Sequence, residues 1–144
     1  EIQCEYAISK NKPIVIHTRS SIDETIKVVK KFSSKGLRGV FHCFSGSLNQ
    51  ANEIIDLGFK IGVGGVLTFK NSNLKTLISQ IDLSHIILET DSPYLSPEPR
   101  RGSTNEPANI IYISQKLSEI CAVPIELVSN ITTQNVINLF DLHS

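Results

Sequence analysis

The chain has no surplus of charge of either sign: 14 Lys and Arg side chains balance 14 Asp and Glu, so the net charge is zero. That balance excludes a protein that coats nucleic acid through a global field. Any phosphate it binds must be held by a local patch or a metal ion. Cysteine is also scarce. Cys4, Cys43 and Cys121 are odd in number and far apart, which argues against a disulfide framework or a zinc cluster and points to a reducing, cytoplasmic setting. The apolar runs are far shorter than a membrane span, no secretory signal opens the sequence, and no low-complexity segment or internal linker divides it. What remains is enough for one domain. A length of 144 residues permits a sizeable core, and 40% hydrophobic with 19% charged residues is ordinary for a globular protein. The first residue is Glu1 rather than methionine, and residues 1–12 read as the end of a helix. The chain is therefore expected to be a piece of something longer.

Strand and helix patterns alternate at a regular beat. An apolar run ending at His17 is followed by Ser21 and Glu24 at capping-box spacing, an apolar stripe of Ile22, Ile26 and Val29, and Gly36 as a stop. A second strand is expected over about Arg38 to Phe44. Ser47 and Gln50 repeat the capping-box spacing before a helix that buries Ala51, Ile54 and Ile55 and stops at Gly58. A third strand runs from about Phe59 to Val63, with Gly62, Gly64 and Gly65 marking a sharp bend or a close backbone approach. A helix over about Ser72 to Gln80 and a fourth strand from about His85 to Thr90 follow. Residues 91–105 form a long irregular loop holding three of the six prolines, and loops of that length in a compact domain are functional or disordered. Helices are expected over about 107–121, 124–130 and 133–142. Four βα units with short joins imply a parallel sheet with right-handed crossovers, which is an α/β fold equal to half of a (β/α)8 TIM barrel.

The informative residues are the last ones on the strands. His17 ends Pro13-Ile-Val-Ile-His17, His42 ends Gly39-Val-Phe-His42, and Asp91 closes His85-Ile-Ile-Leu-Glu-Thr-Asp91. In such barrels the reactive groups sit at the C-terminal strand ends, so these three are expected to meet although they are far apart in sequence. Imidazole and carboxylate together bind zinc, manganese, iron or magnesium-like ions, and three ligands leave room for water and substrate. One strand-end histidine alone is more often packing or surface; the three equivalent positions together carry the metal reading. Glu89 points inward with Asp91 and needs a partner. Arg19 and, more weakly, Lys60 are the candidates, and an internal salt bridge is preferred to direct ligation. Cys43 is expected to face the helices as core packing, His85 to be structural, and His143 to be solvated. Arg100 and Arg101 read by default as a solvated pair, with a case for phosphate contact from their place after Asp91.

These motifs carry a family resemblance. Pro13-Ile-Val-Ile-His17-Thr-Arg19, His42-Cys-Phe-Ser-Gly46, Leu88-Glu-Thr-Asp91-Ser-Pro-Tyr-Leu95 and Arg101-Gly through Asn105-Glu-Pro107 resemble the TatD-like metal-dependent deoxyribonucleases, a group of amidohydrolase-type barrels. The resemblance implies the C-terminal half, strands five to eight, of a (β/α)8 barrel as a single domain over residues 1–144. It implies one or two divalent ions (Mg, Mn or Zn) with His17, His42 and Asp91 as ligands on the fifth, sixth and eighth strands, and Asp91 as proton acceptor. Arg19, Ser45, Arg101, Asn105 and Glu106 are the candidate substrate-binding residues, the arginine from its place in the loop and the others from family positions. The implied activity is hydrolysis of DNA phosphodiesters, often from a 3′ end. The family's His-x-His pair on the first strand and glutamate on the fourth are not in this chain, so part of the metal set is missing. The expected partners are DNA and either the missing N-terminal half of the barrel or another copy of the chain. Two other readings keep part of this picture: a barrel acting on a small amide or ester, and a non-catalytic half-barrel.

Overall fold

A computed structural model describes residues 1–142; the expectation for His143 lies outside the described residues. Helix α1 (Ile2–Ser9) leads into strand β1 (Ile14–His17). Then follow α2 (Ile22–Ser33), β2 (Gly39–His42), α3 (Leu48–Asp56), β3 (Lys60–Val63), α4 (Leu74–Ile78), β4 (Ile86–Leu88), α5 (Ile110–Cys121) and α6 (Ile125–Phe140). The four strands form one sheet in the order β1-β2-β3-β4, every pair parallel. All strand C-termini therefore open on one end. That is half the strand count of an eight-stranded barrel.

The strand alternation assigns the two faces. Ile16, Phe41, Ile61, Val63 and Ile86 are buried on the outer face, where they pack with Ile26, Val29 and Phe32 of α2 and Ala51 and Ile54 of α3. Each such side chain stabilises the fold by roughly 1.5–3 kcal/mol. Val40 and Ile87 point the opposite way, into what would be the barrel lumen. They are covered by Leu139, with Val136 and Phe140 beside it. The last turns of α6 thus plug the lumen at the N-terminal end of the strands. Arg38, just before β2, holds that plug by donating to the Leu139 carbonyl and pairing with Asp141.

Of three local expectations, one holds and two change. The Ser47–Gln50 capping box forms, with both reciprocal bonds. The Ser21–Glu24 box does not: Ser21 sits at φ −142°, ψ 25°, outside the extended geometry, and its side chain makes no cap bond. The two helices expected over 124–130 and 133–142 are one continuous α6. No Gly or Pro interrupts 125–140, and the polar residues that resemble a break are used inside the helix. Thr132 donates to the Val128 carbonyl, and the Asn135 amide donates to the Leu83 and Ile86 carbonyls, 2.8 Å each.

One flank of the sheet is apolar and open. Val15 on β1 is 57% exposed, and Tyr6 and Ile2 on α1 are 65% and 82% exposed; they border a cavity of about 720 Å³. A parallel edge strand with this apolar surround favours association with another strand. Studied on its own, the chain is expected to self-associate with rising concentration in size-exclusion chromatography with light scattering. A monodisperse monomer with cooperative unfolding would contradict this.

Candidate metal centre

Register brings the two histidines together. His17 pairs directly with His42 across β1 and β2, both face the lumen, and their ring centroids lie 5.5 Å apart at a tilt of 37°. Nδ1 of His42 lies 2.8 Å from Oε1 of Glu89, and its Nε2 lies 3.5 Å from Oδ1 of Asp91. One imidazole therefore stands between two carboxylates, with the second imidazole beside it.

Glu89 reaches His42 across an intervening strand because β3 carries Gly62 at that level. A Cβ on Gly62 would lie 2.8 Å from Oε2 of Glu89 and 3.0 Å from the Cα of His42. Any side chain there would fill the gap through which the carboxylate passes. The same Oε1 also accepts the Cys43 backbone N–H at 2.6 Å. Burial raises the Glu89 carboxyl above its ordinary value. The bond and charge of His42 and the Cys43 amide oppose this, while the Asp91 charge adds to it. The partner of Glu89 is thus His42, not Arg19 or Lys60; Lys60 instead donates to the Ser84 carbonyl. The interaction escapes a strand-by-strand reading because its two ends lie on non-adjacent strands. The glycine between them is its only sequence signal.

Cys43 departs from expectation as well. β2 ends at His42, and Cys43 turns into the left-handed region at φ 48°, so strand alternation no longer sets its direction. It is half-buried rather than part of the core. Burial, then the charges of Glu89 and Asp91, push its thiol up to about 11, so it stays protonated at neutral pH.

Asp91 also lies in the left-handed region, at φ 54°, a conformation that costs a non-glycine residue of order 1–3 kcal/mol unless its surroundings impose it. Asn105 supplies much of that constraint. It is 4% exposed. Its amide donates to the Thr90 and Tyr94 carbonyls at 2.7 and 2.6 Å, its carbonyl oxygen accepts from the Glu106 N–H and the Asn109 amide, and its own N–H bonds the Pro93 carbonyl. Those bonds staple the two ends of the Asp91 turn together. The loop is further tied to the turn after β3. Gly65 approaches Leu95 so closely that a Cβ would sit 2.1 Å from its carbonyl oxygen, and the Glu98 N–H bonds Thr68 Oγ1 at 2.9 Å.

The other candidates differ in what they touch. Arg19 and Ser45 are exposed in the loops after β1 and β2, and Glu106 is exposed at the end of the long loop. Arg19 forms no salt bridge among the described residues. Arg101 stacks on Phe69 at 4.0 Å and donates to the Ser96 carbonyl, while Arg100 lies 6.0 Å from the Tyr112 ring. These arginines are engaged with their own loop and its neighbours. His85 lies in a short turn before β4 and is half-buried.

The donor chemistry fits a divalent cation. With Nδ1 donating to Glu89, the lone pair of Nε2 faces a carboxylate, and two acceptors stand together with no hydrogen between them. A proton or a metal ion satisfies both. Two ligands of one tetrahedral ion with bonds of about 2.1 Å stand roughly 3.4 Å apart, and the observed separation is 3.5 Å. A carboxylate behind the imidazole is the usual support of a metal-binding histidine. The groups meet in pairs: among the described residues no three His, Cys, Asp or Glu side chains are already set around one point.

Known proteins share this arrangement of sequence and fold. Residues 1–141 match the family described as TatD related DNase. An uncharacterized metal-dependent hydrolase of Buchnera aphidicola is 42% identical over 94% of this chain and 52% of its own length, and one of Bacillus subtilis is 33% identical over 98% of this chain and 56% of its own length. The crystal structure of a TatD homologue from Escherichia coli superposes with a TM-score of 0.91 at 30% identity, covering 98% of this chain and 54% of that one. The chain thus spans about half the length of the relatives it matches.

Gly62→Ala tests the route of the Glu89 carboxylate. The added methyl is expected to separate Glu89 from His42 and to destabilise the fold by about 1–3 kcal/mol through overpacking. Imidazole ¹⁵N shifts should change from an Nδ1–H tautomer at His42 to a mixture. An unchanged tautomer would show that the glycine gap does not govern the contact.

Proposed function

The chain belongs to the TatD-related DNase family, and from that membership we propose that the protein is a metal-dependent hydrolase of DNA phosphodiester bonds, acting from a 3′ end. The observation that carries the reading is one imidazole held between Glu89 and Asp91, beside a second imidazole, at the open ends of parallel strands. His17, His42 and Asp91 are the proposed ligands of one or two divalent ions, Mg, Mn or Zn. The metal dependence named for the Buchnera and Bacillus relatives supports this.

A divalent ion there would polarise the phosphate and lower the pKa of water from about 15.7 to roughly 7. The chain's own side chains do the rest. Glu89 holds His42 in the Nδ1–H tautomer and keeps Nε2 free as a donor. Asp91 accepts the proton of the attacking water, a general-base role worth typically 10²–10⁴-fold. Arg19 takes a phosphate oxygen, Ser45 and Glu106 contact the strand, and Asn105 serves by fixing the Asp91 turn. Arg101 contributes through the same loop. Balanced net charge favours gripping a strand end over coating a duplex.

The apolar β1 flank supports docking of the other half of the barrel there. Free Cys4, Cys43 and Cys121 support a cytoplasmic location, and no helix among the described residues is long and apolar enough to cross a membrane.

In the full-length protein, Asp91→Asn is expected to lower manganese-dependent hydrolysis of single-stranded DNA by at least about 10²-fold with the fold retained; near-normal turnover would leave the assignment without support. Removing the support of His42 by Glu89→Gln is expected to weaken manganese binding by about 10–100-fold, as read by titration calorimetry.

A further inference from the structure

Two cavities open among the turns that follow β1, β2 and β3, and the reaction outlined above draws on them only through Ser45. Both border Ser45, Gly46 and Ser47, the turn that begins three residues after His42. The first encloses about 570 Å³. Phe44, Val66, Leu74 and Leu77 make its apolar lining, and Ser45 and Asn73 stand at its rim. The second, about 340 Å³, lies between this turn and the one after β1, and Thr18, Ser20 and Gln50 line it with polar groups. Gly46 borders both. A Cβ there would lie 2.6 Å from Oε1 of Gln50, 2.8 Å from Ile22 and 2.8 Å from the Phe44 ring, so only a bare backbone fits between them.

The pair divides space as a nucleotide divides its chemistry. A base presents a flat, largely apolar face with hydrogen-bonding edges, whereas the sugar and phosphate are polar. A volume of about 570 Å³ falls within the ordinary range of ligand sites, roughly 300–1,000 Å³, with an apolar lining and a few polar groups. The Asn73 side chain is exposed and forms no cap bond to α4. Its amide offers a donor and an acceptor side by side, the arrangement that pairs with a base edge.

We propose that the cavity under Phe44, Val66, Leu74 and Leu77 is a subsite for the nucleobase of the terminal nucleotide, with Asn73 meeting its edge, and that the hydroxyl-lined cavity takes the adjoining sugar. This subsite rests on the DNA reading above and adds to it the contact that recognises a base rather than the phosphate alone.

The test uses the full-length protein with manganese and two single-stranded DNA substrates that differ only in their 3′-terminal residue, one bearing a base and the other abasic. The ratio of kcat/KM for the two substrates is the readout. Asn73→Trp and Val66→Phe, made separately, narrow the cavity from different sides, and circular dichroism verifies that each folds. Each substitution is expected to shrink the ratio by about tenfold, toward one. A ratio unmoved by both, with cleavage retained, would overturn the subsite alone. No metal-dependent cleavage of either substrate by the unsubstituted protein would overturn the DNA reading and the subsite with it.

Discussion

The contact between Glu89 and His42 is the constraint on which the mouth of this sheet depends. A carboxylate taken from water needs a partner, and here the partner lies two strands away. The carboxylate reaches it only because Gly62 leaves a gap in β3. The Nδ1 contact then sets which ring nitrogen is free. The β1–β2 register places His17 opposite His42, and β4 delivers Asp91 to the other nitrogen. Orientation of the two imidazoles is therefore a property of sheet order and one absent side chain rather than of any loop.

The aspartate is held differently. It lies beyond the end of β4 in a left-handed conformation, so the sheet cannot fix it. Its loop does so through satisfied polar groups. The Asn105 amide binds the carbonyls on either side of the Asp91 turn, Arg101 lies on Phe69, and the Gly65 backbone meets Leu95. A long loop without secondary structure is held in one path when its backbone groups are bonded to buried side chains. Arg101 of this loop is exposed but rests on Phe69 and the Ser96 carbonyl, whereas the exposed Arg19 forms no salt bridge among the described residues.

The rest of the fold sets which ends are closed. Helix α6 runs on through residues that resemble a break and seals the lumen below with Leu139 and Phe140, anchored by Arg38 and Asn135. The C-terminal ends stay open and carry the polar groups, and the β1 flank stays apolar. A packed base with an open top is the arrangement that lets strand-end side chains meet a substrate.

Much of this was legible in the primary structure because it follows from local periodicity. Alternation placed the strands near His17, His42 and Glu89. The Ser47–Gln50 spacing announced a real capping box, and the positions of Ala51 and Ile54 announced the buried side of α3. Local pattern also misled. Ser21 has the right residue types but the wrong backbone angles, and Cys43 follows a strand that has already ended. What only the tertiary structure decided was pairing between distant segments: that Glu89 answers to His42 rather than to Arg19, that Asn105 is bound to the backbone around Asp91, and that Asn130 to Thr133 continue a helix. The physical reason is range. Periodicity and caps arise within a turn or two of chain, so residue order alone determines them. The partner of a buried polar group is whichever donor or acceptor packing brings within about 3 Å, and that is known only once the strands are ordered and the gaps between them are seen.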